Sequence, residues 1–169
     1  MASLADPRTV RRQKITPLEA DEVKRFLQLT EKDRMHNLFV VAVHTGLRQG
    51  ELLALTWENI DLEEGILHVT YTVTEVDGKR TRTAPRTEQS ERALKLSGPV
   101  VAALRGQRVK VTELEQTATD RWQDHNLVFP SAVGTFLKSS NVTHHFQQQL
   151  ELYGLRKMRF HDLRHTAGT

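Results

Sequence analysis

The strongest constraint on the fold is a change of period within one continuous stretch. Before residue 56 the apolar residues recur at helical spacing, but in "ILHVTYTVTEV" (66–76) Leu67, Val69, Tyr71 and Val73 alternate with His68, Thr70, Thr72 and Thr74. That alternation is the pattern of a strand with one buried face. Asp77-Gly78 follows, a dipeptide suited to a two-residue hairpin turn. "KRTRTA" (79–84) then reads as the return strand, and "RALKL" (92–96), with Leu94 and Leu96 inward, as a third. A chain that is helical on both sides of such a unit is α+β. The expected fold is mainly α with a small three-stranded antiparallel β-sheet whose turns carry basic residues.

The flanking helices have their own punctuation. "TPLE" (16–19) has the form of a helix start, with Thr16 to cap, Pro17 in the first turn and Glu19 completing a capping box. Leu18, Val23, Phe26 and Leu27 supply its apolar face. A second helix is expected from about Glu31 to Thr45, burying Leu38, Phe39, Ala42 and Val43 and stopped by Gly46. A short helical stretch (47–55) follows at once. After Pro99 helix returns, with Val100, Leu104 and Val111 as core positions and a C-terminal half blurred by Gly106 and the polar run 113–126. "SNVTHHFQQQLELYG" (140–154) places Val142, Phe146, Leu150 and Tyr153 on one face, and Gly154 ends it. A last helix begins near Phe160. Residues 1–15 read as a basic tail or linker, and 16–169 as one domain.

Composition narrows the function classes. The longest apolar run, "LFVVAV" (38–43), is too short to span a bilayer, and no apolar segment of the secretory type opens the chain. With no cysteine there is neither a disulfide nor a thiolate metal site, which suits a reducing cytosol. The formal charge is only +3, but the cations gather in "RTVRRQK" (8–14) and "GKRTRTAPR" (78–86). A polyanion partner fits that clustering, as does a solvated surface.

Two segments carry candidate chemistry. In "HTGLRQGELLALTW" (44–57) Gly46 ends one helix and Arg48 begins the next, with Glu51 three residues on, placed to orient the guanidinium. Arginine so held presents paired donors that match two phosphate oxygens, and the alternative is an ordinary surface Arg–Glu pair. In "RFHDLRHTAGT" (159–169) His161 shares a helix face with both Arg164 and His165. Phosphate chemistry would use His161 and Arg164. Metal chemistry would use His161 and His165, imitating a zinc helix with Asp162 in place of its glutamate base. Asp is one methylene shorter, the helix carries an arginine, and no third ligand is evident beyond His144 or His145, which read as ordinary helix residues. Trp57 and Trp122 read as core anchors.

The combination "HTGLRQGELLALTWENIDLEEGILHV", "APRTEQSERALKL", "LVFPSAVGTFL" and "RFHDLRHT", in this order and spacing, resembles the catalytic domain of the tyrosine recombinases, the phage-integrase family of site-specific DNA recombinases. The resemblance runs from about Thr16 to the last residue. It implies a mostly helical fold with a three-stranded sheet beside the site, and a transesterification needing no cofactor or metal. In that reaction a tyrosine attacks a DNA phosphate, leaving a 3′-phosphotyrosyl bond and a free 5′-hydroxyl. Arg48 and Arg164 fall on the family's two arginines, and His161 on the histidine of its His-x-x-Arg box. The cations implied to meet double-stranded DNA are Arg48, Lys79, Arg80, Arg82, Arg86, Arg159 and Arg164.

Two departures accompany the resemblance. The family's turn lysine, which protonates the leaving oxygen, is matched by Arg86 in "APRTEQS", so that either Arg86 or the nearby Lys79 takes the role. The pattern also continues past "HDLRHT" to a further His/Trp position and the nucleophilic tyrosine, whereas the tyrosines here are Tyr71 and Tyr153. The expectation is therefore a partial catalytic domain, inactive alone, from a cytoplasmic parent that works as a tetramer on DNA. A non-catalytic DNA-binding module on the same scaffold, and a metal-dependent hydrolase built on "HDLRH", are the alternatives.

Overall fold

The computed structural model describes residues 19–84 and 91–164. The basic tail, the helix start at Thr16, Arg86 and His165 lie outside the described residues. Helix α1 (Ala20–Leu29) opens on Glu19, with Glu22 three residues in closing the capping box, and buries Val23 and Phe26. Helix α2 (His36–Thr45) is the central element, buried from Asn37 to Val43 and ended by Gly46 at φ 68°.

Helix α2 starts later than its apolar spacing predicts. Thr30 Oγ1 donates to the Phe26 carbonyl. The Asp33 carboxylate accepts the Met35 N–H at 2.9 Å, and His145 Nε2 of a distant helix lies 2.8 Å from the same carboxylate. These side-chain bonds give residues 30–35 a turn instead of helix.

Helix α3 (Gln49–Leu53) follows after Leu47, which is buried. The strand region then departs from expectation. The stretch 66–76 is two strands, not one. β2 (Ile66–Val69) lies between β1 (Ile60–Asp61) and β5 (Arg92–Lys95) in a three-stranded antiparallel sheet, with Leu67 opposite Leu94. β3 (Thr72–Val76) leaves that sheet and pairs with β4 (Lys79–Thr83) as a separate ribbon around the Asp77-Gly78 turn. Tyr71, at the break, is turned out to 40% exposure. The ribbon instead lies on α3, where Gly50 makes the approach possible: a β-carbon there would collide with Thr72 Oγ1 and press on the Val73 carbonyl.

Helix α4 (Gly98–Ala118) is continuous, so neither Gly106 nor the polar residues from 113 interrupt it. Its core contacts are Val100, Ala103, Leu104 and Gln107. Val111 is only half-buried. Residues 126–128 are pinned to the end of α3 by Trp57 N–H to Asn126 O (3.1 Å) and Val128 N–H to Leu55 O (3.0 Å). Of the two tryptophans, Trp57 packs at the edge of the core and Trp122 is half-buried, so neither is a fully enclosed anchor.

Helix α5 (Ser139–Leu152) buries Val142, Phe146 and Leu150, while Tyr153 is its half-buried cap. Phe26, Phe39, Phe146 and Phe160 form one aromatic cluster, with centroids of 5.1 Å for Phe26–Phe39 and 5.5 Å for the edge-on Phe146–Phe160 pair. Phe160 thereby fixes the segment that follows it, a 3-10 turn (Phe160–Asp162) leading into buried Leu163 and then Arg164.

Candidate functional site

The site is built where α2 gives way to α3. Gly46 takes the left-handed conformation, Leu47 turns into the core, and Arg48 lies exposed in extended conformation at the start of α3. Glu51, on the first turn of α3 and 6% exposed, accepts the Arg48 backbone N–H at 2.8 Å. Its carboxylate does not hold the Arg48 guanidinium, as the spacing suggested. It holds Arg92, through Nη1–Oε2 at 2.9 Å and Nη2–Oε1 at 3.3 Å.

Sequence reasoning missed Arg92. A signal was present: on a strand with Leu94 and Leu96 inward, residue 92 shares their face, and a cation there calls for a buried partner. The register of β5 on β2, with Arg92 opposite Val69, brings it to Glu51 across 41 positions of sequence.

Arg164 completes the group. Its Nε donates to the Gly46 carbonyl at 2.8 Å, capping the end of α2. Burial, and then the neighbouring Arg48 and Arg92 guanidinium groups, hold Arg164 below its ordinary value against the opposing pull of Glu51. Three guanidinium groups and one carboxylate leave a net charge of 3 − 1 = +2 in one place. Such a cluster favours an anion with several acceptor oxygens.

The other candidates are distributed differently. His161 stands exposed in the 3-10 turn Phe160–Asp162, which opens the segment expected to be helical; Leu163 and Arg164 are helical, and the rest of that segment lies outside the described residues. Arg159 is not at the cluster's centre: its guanidinium donates to Asp162 at 3.2 Å, and its backbone N–H to the same carboxylate at 2.9 Å. Asp162 is 4% exposed and fully committed to these bonds, so it is not placed as a general base. Lys79 is exposed at the ribbon's turn, Arg80 lies opposite Glu75, and the Arg82 guanidinium sits 4.0 Å over the Tyr71 ring. Tyr153 caps α5. Among the described residues no group of three metal-ligating side chains occurs, and no helix is long and apolar enough to cross a membrane.

Burial opposes ionisation of Glu51, but the hydrogen bonds from Arg92 and the Arg48 N–H, with the charges of both arginines, outweigh it and hold the carboxyl below its ordinary 4.5. The folded state therefore releases this proton more readily than the unfolded chain. The resulting stabilisation is complete above pH 4.5 and is lost as pH falls through the lowered value. Glu51→Gln is expected to remove that component, so that thermal stability declines less steeply on acidification below about pH 4.5. An unchanged acid slope would contradict the assigned partnership.

The sequence profile of the Phage integrase family matches residues 17–169. The chain belongs to that family. Among curated relatives, this phage-integrase chain is 30% identical over 161 residues to "Tyrosine recombinase XerC-like" of Caldanaerobacter subterraneus subsp. tengcongensis, covering 88% of this chain and 41% of that protein. It is 28% identical over 162 residues to the ICEBs1 integrase of Bacillus subtilis, covering 92% and 42%. It thus spans less than half the length of these two relatives. Of solved structures, the Tn1549 transposon integrase in complex with a circular intermediate DNA matches with a TM-score of 0.79 at 18% identity, over 98% of this chain and 56% of that one. XerA recombinase matches at 0.70 and 24%, over 93% and 50%. The integrase fold, mainly α with small antiparallel sheets, is the shared feature.

Proposed function

We propose that residues 16–169 are part of the catalytic domain of a site-specific DNA recombinase, preceded by a basic linker at 1–15, and that the Arg48–Arg92–Arg164 cluster receives one DNA phosphodiester. The observation that carries this reading is the meeting of Arg48, Arg92 and Arg164 at the α2–α3 junction, with Arg92 paired to the buried Glu51 carboxylate and Arg164 bonded to the Gly46 carbonyl. Arg48 and Arg164 bind the non-bridging oxygens and stabilise the charge that builds in the transition state. Glu51 and Arg92 position them: Arg92 neutralises Glu51, so that the carboxylate orders the cluster without repelling the phosphate. His161 hydrogen-bonds the phosphate and assists proton transfer.

The reaction is transesterification. A tyrosine oxygen bonds to phosphorus, the bond from phosphorus to the 5′-oxygen breaks, and that oxygen takes up a proton. Of the two candidates for donating it, Lys79 is better suited than Arg86, because guanidinium gives up a proton only above about pH 12. The parent protein acts in the cytoplasm as a tetramer on paired duplexes.

Neither tyrosine of this chain belongs to the cluster, since Tyr71 carries Arg82 and Tyr153 caps a helix. These 169 residues are therefore expected to bind DNA without forming a covalent bond to it. Incubation with nicked duplexes followed by denaturing electrophoresis checks this; a shifted protein–DNA band would place the nucleophile at Tyr71 or Tyr153 and overturn the assignment.

A further inference from the structure

Helix α5 carries a second stripe. Beside the buried Val142, Phe146 and Leu150, the residues Ser139, Thr143 and Gln147 recur at i, i+4 and i+8, so they too share one face. That face is polar, and Thr143 and Gln147 on it are half-buried. It meets both of the segments that bring Arg48 and Arg164 together.

The first contact is with the start of α3. Gln49 follows Arg48 directly, and its Nε2 donates to the Ser139 carbonyl at 3.0 Å and to the Thr143 hydroxyl at 3.2 Å. The second contact is with the segment ahead of Arg164, where Gln147 Nε2 donates to the Met158 carbonyl. Met158 is buried, and two residues on Phe160 packs edge-on against Phe146. Thr143 and Gln147 are about one turn apart, a rise of about 6 Å along the helix. A single turn of α5 therefore holds the backbone beside Arg48 at a fixed offset from the backbone leading to Arg164.

We infer that Gln49 and Gln147 are positioning residues, which keep Arg48 and Arg164 in register so that both guanidinium groups reach the same phosphodiester. The inference rests on the phosphate-binding reading proposed above. Apolar burial along α5 is favourable without being directional, whereas an amide donor and its oxygen must lie within about 3.2 Å and close to a straight line. Two arginines sharing one phosphate need the same accuracy, because an error of about 1 Å takes either of them out of hydrogen-bond range. Both glutamine amides are engaged within the protein, so they act through the arginines. Gln149 offers a comparison on the same helix: it is half-buried, and its side chain forms no hydrogen bond among the described residues.

The test measures duplex affinity of the full chain by fluorescence anisotropy, at a temperature where circular dichroism shows every variant folded. Gln49→Ala and Gln147→Ala should each weaken binding about tenfold, and Gln149→Ala should leave it within about twofold. The deciding readout is what Arg48 contributes in each background, which lost stability alone would not change. In the unsubstituted chain Arg48→Ala should weaken binding about tenfold; combined with Gln49→Ala it should add only about twofold, because the guanidinium no longer reaches the phosphate. Unchanged binding by Gln49→Ala or Gln147→Ala, an equal loss in Gln149→Ala, or a full Arg48→Ala penalty in the Gln49→Ala background would overturn the positioning role and leave the phosphate site standing. Binding indifferent to Arg48→Ala in the unsubstituted chain would instead remove the phosphate site, and the positioning role with it.

Discussion

Replacing Phe146 by alanine is expected to lower the unfolding free energy by about 4 kcal/mol, the range found for deleting a fully enclosed ring. Phe146 has no solvent exposure and touches Phe26, Phe39 and Phe160, with centroids between 5.4 and 5.9 Å. The cavity would open where α1, α2, α5 and the C-terminal segment meet, so no one element can collapse to fill it. The effect should also reach the site. Phe160 is held edge-on by Phe146, and Arg164 follows four residues later with its bond to Gly46. Denaturant unfolding measures the first effect. Duplex affinity, taken at a temperature where the variant is folded, measures the second. A loss below about 2 kcal/mol would mean that the cluster is not a single packing unit.

The second large effect concerns salt. If about five of the clustered cations meet backbone phosphates, raising monovalent salt from about 50 to 200 mM should weaken duplex binding roughly 500-fold through counterion release. Replacing Lys79, Arg80 and Arg82 together by alanine should lower the salt slope by about three and weaken binding more than Arg48→Ala, which should lower it by about one. Different duplex sequences should bind alike, since phosphate contacts position a protein without reading bases. An affinity that stays flat over this salt range would exclude a phosphate-backbone partner.

Much of this architecture is legible in the sequence, wherever one residue type decides the outcome. Gly46 ends α2 in the left-handed conformation, Asp77-Gly78 closes the ribbon, and the stripe of Val142, Phe146 and Leu150 defines α5. The clustering of Arg48 and Arg164 follows from the motif resemblance. What could not be read depends on partners distant in the chain. The strand divides at Thr70–Tyr71 because β3 packs on α3 through Gly50, a tertiary contact that overrides alternation. Helix α2 starts at His36 because His145, over a hundred positions away, holds the Asp33 side chain. Helix α4 persists past Gly106 because Leu114, Glu115, Gln116 and Ala118 are good helix formers even where nothing covers them. Arg92 acquires its role from the β2–β5 register, which sets it against Glu51.

The central claim is that Arg48 and Arg164 receive one phosphodiester between them, with Arg92 held on Glu51. The most direct measurement follows the arginine Nε–H resonances of the labelled chain while duplex DNA is added. The Arg48 and Arg164 signals should move together, saturating at the dissociation constant found by fluorescence anisotropy, and Glu51→Gln should alter both. If those two signals stay fixed while Arg80 and Arg82 of the ribbon respond, DNA is held elsewhere and the proposed phosphate site is wrong.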